Sequence, residues 1–175
     1  IQTNSFGANR VRLLAHGLEA HVHEINRRAV ELAREVARDS HYVVGAIGPT
    51  GTILKAAKPD QLEQYREAFR EQVAALCGAG VDALLLETFR QPEELALAIE
   101  GARTVLPGGV PLCATCSFDS FGTTADGSGP EQVAQRLKDL GVDAIGVNCS
   151  DGPAGVYDMA VRMLAAGLPV IAQPN

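Results

Sequence analysis

GVDAIGVN, residues 141–148, decides the fold, and GVDALLLE, residues 80–87, repeats the decision earlier in the chain. Each stretch begins with a glycine that can end a helix, passes through a Val-Asp turn and runs into an apolar strand. The echo marks one helix-to-strand joint used twice. Repeated βα units of this length mean an α/β protein, either a doubly wound sheet or a (β/α)8 barrel.

Working outward, five strand candidates appear: YVVGAIG (42–48), DALLLET (82–88), PLCATCS (111–117), DAIGVNC (143–149) and PVIAQPN (169–175). They are continuously apolar rather than alternating, as strands of a parallel sheet are. IQTNSF (1–6) reads as the end of a sixth. Between them lie amphipathic stretches. The first covers 18–38, with Leu18, Val22, Ile25, Ala29, Leu32, Ala33 and Val36 on one face; the others are 60–77, 92–105, 130–140 and 154–166. Pro92 and Pro130 stand at first helical positions. Gly78, Gly141 and Gly167 are candidate helix terminators.

The strand candidates end in polar residues: Thr3 and Ser5, Glu87, Thr115 and Ser117, Asn148 and Cys149, Asn175. In a barrel all these ends converge on one face, where active sites are built. In an open sheet only those near the switch point meet. The expectation is therefore a (β/α)8 TIM barrel, incomplete in this chain, with about six of eight βα units visible. The chain starts at Ile1 and stops at Asn175 directly after a strand-like run, so both ends are expected to be cut from a larger domain.

Bulk properties narrow the function. The 175 residues suffice for one domain with a real core. The net charge is −6 and there is no Lys/Arg run, which argues against nucleic acid or an anionic membrane as partner. No stretch reads as a signal peptide or a membrane span. Four cysteines are too few for a disulfide scaffold, so a cytoplasmic setting is expected.

Cys149 at a strand's carboxyl end is a small buried hydrophobe, a soft-metal ligand or a nucleophile. Cys113 and Cys116 spell CxxC, but on a strand their side chains diverge to opposite faces, so packing is the expectation for both. Cys77, in the last turn of a helix, is structural. His21 and His23 are i, i+2 on a helix and do not face each other. His41 precedes a strand, away from the mouth. Glu87 either bonds backbone N–H groups of the next helix or faces the mouth to bind an ammonium group. No strand-end lysine is present for Schiff-base chemistry, and there is no GxGxxG or Walker loop. GPTG (48–51) and DGSG (126–129) read as turns.

TNSFGAN (3–9), GLEAHVHEIN (17–26), AIGPTG (46–51), GVDALLLET (80–88), DAIGVNCSDGP (143–153) and AQPN (172–175) fall in the order seen in the homocysteine S-methyltransferase family, which the chain resembles over residues 1–175. The likeness is nearest the homocysteine module of cobalamin-dependent methionine synthase, or of bifunctional proteins fusing this module to methylenetetrahydrofolate reductase. It implies a partial homocysteine-binding barrel that makes methionine with a catalytic Zn²⁺ on three cysteines. Cys149 falls on the first ligand. The other two belong to a Gly-Gly-Cys-Cys segment that these residues do not contain. The resemblance places Glu87, Ser5, Asn148 and Asn175 at the substrate. It also implies a methyl donor, possible donors being methylcobalamin, S-methylmethionine and betaine, brought by another domain or protein. The competing reading is a degenerate, non-catalytic partial barrel. The 175 residues alone are expected to be inactive.

Overall fold

In a computed structural model all 175 residues are described. Five strands, β1 (Val44–Ile47), β2 (Ala83–Phe89), β3 (Leu112–Cys116), β4 (Ala144–Asn148) and β5 (Val170–Gln173), form one sheet in sequential order. All neighbouring pairs are parallel. Helices precede and join them: α1 (Arg10–Leu14), α2 (Val22–Ala37), α3 (Pro59–Gly78), α4 (Pro92–Arg103), α5 (Pro130–Asp139) and α6 (Gly152–Met163). The expected sixth strand is reduced to a single bridge, Gln2 to Val44, because the chain turns away at residues 4–8 to enter α1.

Sequential order alone separates a barrel from a doubly wound sheet, whose order reverses at its switch point. The distribution of side chains agrees. Leu84, Leu86, Leu112, Ala114, Cys116, Ile145 and Val147 project to one face and join residues of α2 to α6 in a single apolar cluster of 30 buried residues. The other face carries Thr3, Ser5, Glu87, Thr115 and Asn148. The sheet curls toward that polar face. Gln173 Nε2 at the end of β5 donates to Gln2 Oε1, beside β1, at 3.3 Å, so residues from opposite ends of the sheet meet.

The Val-Asp echo has a structural cause. Asp82 Oδ2 accepts the N–H of Val43 at 2.6 Å, and Asp143 Oδ2 accepts that of Leu112 at 2.8 Å. Each aspartate captures the amide at the base of the preceding strand, and its own N–H bonds back to the same residue's carbonyl. The glycines before them turn with positive φ, Gly80 at 89° and Gly141 at 75°. Gly167 does the same after α6, at 75°. Gly78 remains in α3, so Gly80 is the left-handed residue there instead. Pro92 and Pro130 begin α4 and α5 as expected.

On α2 the buried face differs from the expected stripe. Val22, Asn26, Ala29, Val30, Ala33 and Ala37 are buried, while Leu18, Leu32 and Val36 are exposed. The sequence carries two apolar stripes here, and the one with smaller residues faces α3 and the sheet. At the opposite end Tyr157, Val161 and Leu164 are exposed.

Candidate functional site

The strand ends of the polar face meet through one side chain, the buried amide of Asn148. Asn148 Oδ1 accepts from Thr88 N at 3.0 Å and from Thr115 Oγ1 at 2.9 Å. Its Nδ2 donates to Thr88 Oγ1 at 2.7 Å and reaches Glu87 Oε2 at 3.5 Å. Its backbone carbonyl accepts from Ser117 Oγ at 2.8 Å and Ser150 Oγ at 3.2 Å. The ends of β2, β3 and β4 are thus tied to one residue. A buried amide with every group engaged holds one orientation, since an unmade bond would cost about 1–3 kcal/mol.

Glu87 lies half-buried on the polar face. Gln2 Nε2 approaches its Oε1 at 3.5 Å, and no backbone N–H of the following helix bonds to it. The helix-capping alternative is therefore not realised. Burial pushes the Glu87 carboxyl above its ordinary range, and the hydrogen bond from Gln2 only partly offsets this. A half-buried carboxylate without a cationic partner is set up to receive one.

Cys149 follows Asn148 out of the sheet. It is exposed, its φ is 46°, and its Sγ lies 4.0 Å from Thr88 Oγ1. Exposure at a strand's carboxyl end removes the reading of Cys149 as a small packed hydrophobe. Cys116 is fully buried in the apolar cluster and its thiol is pushed up to about 12 by burial. Cys113, three residues earlier, lies outside that cluster and partly exposed, so the CxxC pair does diverge. Cys77 on α3 is raised to about 11 for the same reason as Cys116. His21 pairs with Glu24 and His23 points toward Glu71, on the outer surface.

Ser5 is buried, with Oγ donating to Ala46 O at 2.7 Å and sharing a 2.6 Å hydrogen bond with Thr3 Oγ1. Its hydroxyl fastens residues 3–5 to β1. Asn175, beyond β5, is exposed. GPTG is a tied turn: Thr50 N and Oγ1 donate to Glu94 Oε1 at 2.7 and 2.6 Å, and Arg12 Nε donates to Pro49 O.

Sequence reasoning missed Thr88 and Glu94. A left-handed threonine carries no signature in sequence. Glu94, in the first turn of α4, looked like any acidic residue at a helix start, yet it is buried.

As a zinc site the donor set is partial. Cys149 offers one accessible soft donor of the right kind. Nowhere do three His, Cys, Asp or Glu side chains come together as a metal cage, whereas a catalytic Zn²⁺ takes three protein ligands.

A curled parallel sheet with its polar groups gathered at the strands' carboxyl ends defines part of a (β/α) barrel. Comparison with known proteins gives the family. The model for homocysteine S-methyltransferases matches residues 1–175, and the chain belongs to that family. It is 30% identical over 186 residues to the methionine synthase of Mycobacterium tuberculosis, covering 100% of this chain and 15% of that protein. It is 30% identical to betaine–homocysteine S-methyltransferase 1 of Danio rerio, covering 95% of this chain and 40% of that one. The chain thus spans less than half the length of these relatives. Among solved structures, the metallated homocysteine methyltransferase MmuM from Escherichia coli superposes with a TM-score of 0.69 at 24% identity, over 98% of this chain and 73% of that chain.

Proposed function

We propose that this chain forms part of the homocysteine site of an enzyme that transfers a methyl group to the homocysteine thiol, giving methionine. The supporting observation is the Asn148 amide, which ties the end of β2, carrying Glu87, to the end of β4, carrying Cys149. Homocysteine has an ammonium group at one end and a thiol at the other. Glu87 takes the ammonium in a charge-assisted hydrogen bond. Binding a cation there offsets the cost of burying the carboxylate. Asn148 holds the two strand ends in register. Ser5 shapes the wall through its bond to β1, and Asn175 adds an amide at the rim.

Cys149 would serve as one ligand of a catalytic Zn²⁺, which takes three protein ligands. Bound zinc supplies one thing: it keeps the substrate sulfur as thiolate near neutral pH. The reaction is a displacement at carbon. The sulfur lone pair forms the S–CH₃ bond as the bond from methyl to donor breaks, and that electron pair leaves with the donor. The chain's own residues contribute positioning rather than acid–base chemistry, which suits a mouth with no histidine. The donor, a cobalamin, sulfonium or quaternary ammonium compound, is delivered by another domain or protein. A cytoplasmic setting fits four free thiols.

The test is the full-length protein assayed for methionine formation, with Cys149→Ser beside it. The variant is expected to lose transfer and zinc retention while its melting transition stays within a few degrees, because a serine oxygen is a poor replacement for a thiolate. Full zinc occupancy in Cys149→Ser contradicts the assignment, and absence of homocysteine-dependent methionine formation in the wild type supports the degenerate reading instead.

A further inference from the structure

Strand β2 does not end regularly. Leu84 and Leu86 face the helices, so strict alternation would place Thr88 on the helix side and Phe89 on the polar side. The register to β3 instead shifts between Leu86 and Phe89. Phe89 is fully buried among the helices, its ring centroid 5.9 Å from that of Phe69. Thr88 is the extra residue of a β-bulge, with φ at 65°. A β-branched residue in that region is a genuine outlier, held only where its surroundings over-determine it. Here the surroundings are visible: Thr88 N donates to Asn148 Oδ1, and Thr88 Oγ1 accepts from Asn148 Nδ2, a two-point clamp between β2 and β4. Bulges beside active sites re-aim side chains. This one lets Phe89 return to the core while Glu87 stays on the polar face.

We propose that Thr88 is a positioning residue for the substrate: its left-handed bulge and its clamp to Asn148 hold the Glu87 carboxylate where the homocysteine ammonium group binds. The inference rests on the reading of Glu87 given above. Thr88 acts through Glu87 and need not touch the substrate. A glycine at 88 would relieve the backbone strain but lose the hydroxyl. Valine would keep the bulk and the branch but lose the acceptor for Asn148 Nδ2. Serine would keep the hydroxyl.

These three substitutions separate positioning from folding in the full-length protein. Thr88→Val and Thr88→Gly are expected to raise the homocysteine KM about five- to tenfold, the size of one lost hydrogen bond, with kcat changed less. Thr88→Gly is expected to do so with the fold retained, since the strain that glycine relieves at positive φ offsets part of the lost hydrogen bond. Thr88→Ser should restore a KM within about twofold of wild type. In a Glu87→Gln background the Thr88→Val effect should vanish, because two residues acting as a unit are not additive. If Glu87→Gln raises KM while Thr88→Val and Thr88→Gly do not, the positioning role is overturned and the substrate reading stands. If Glu87→Gln leaves KM unchanged, the substrate reading fails and the positioning role falls with it. If Thr88→Val and Thr88→Gly both fail to fold, Thr88 is structural and the proposal is overturned.

Discussion

Glu87 and Cys149 gain their chemistry from where the backbone leaves them. Both stand at strand ends on the polar face, one half-buried and one exposed. For Glu87 the raised carboxyl has a consequence for binding. Its proton is lost at a higher pH than an ordinary glutamate's, and only the ionised form attracts an ammonium group. The homocysteine KM should therefore rise on acidification, starting above the ordinary glutamate value of 4.5, and Glu87→Gln should flatten that limb of the profile. A KM whose acid limb is the same in wild type and Glu87→Gln would contradict it. Their strand-end placement was legible in the sequence because each closes an apolar run with a polar residue. That of Thr88 was not: nothing in ALLLETF shows that the strand bulges, since that depends on Phe89 finding Phe69 in the core.

At the scale of elements, the joints were legible and the faces less so. GVDA read correctly as a helix-to-strand joint, and the aspartates that bond the preceding strand supply the physical reason for the repeat. The buried stripe of α2 was misjudged because two apolar stripes compete and only tertiary packing chooses between them. Close approaches set the tightest constraints. A Cβ on Gly146 would collide with the carbonyl oxygen of Ile171 on β5. Gly146→Ala is therefore expected to destabilise the sheet by about 1–3 kcal/mol, the usual cost of overpacking, read as a lower denaturation midpoint with unchanged m-value. Glu94 gives a second test. Burial raises its carboxyl, and the Thr50 hydrogen bonds offset this only in part. In the folded state it holds its proton to higher pH than in the unfolded state. Its contribution to stability is thus most favourable below 4.5 and declines as pH rises through the folded value. Glu94→Gln should remove that decline, so the melting temperature of the variant relative to wild type should climb between acid and neutral pH.

Over the whole molecule, the curl of the sheet brings Gln2 and Gln173 together at the mouth, while the helix layer stays open between α2 and α6. Exposed Leu32 and Val36 at one flank and Tyr157, Val161 and Leu164 at the other lie on the outer helices; residues 1–6 cover the outer edge of β1, and β5 has a free edge. Residues 1–175 produced alone are expected to associate or aggregate and to bind zinc only weakly, as the unpaired edge of β5, the exposed apolar helix faces and a single thiolate ligand imply. A monodisperse monomer with a tight stoichiometric zinc site would contradict this. The central claim, that Glu87 reads the ammonium end of a thiol amino acid, is tested most directly by substrate discrimination. The full-length protein and its Glu87→Gln variant would each be assayed with homocysteine and with 4-mercaptobutyrate, which lacks the amine. Wild type should prefer homocysteine, and Glu87→Gln should lose about 1.5–3 kcal/mol of that preference, roughly ten- to a hundredfold in the ratio of kcat/KM. A variant that discriminates as well as wild type would contradict the account.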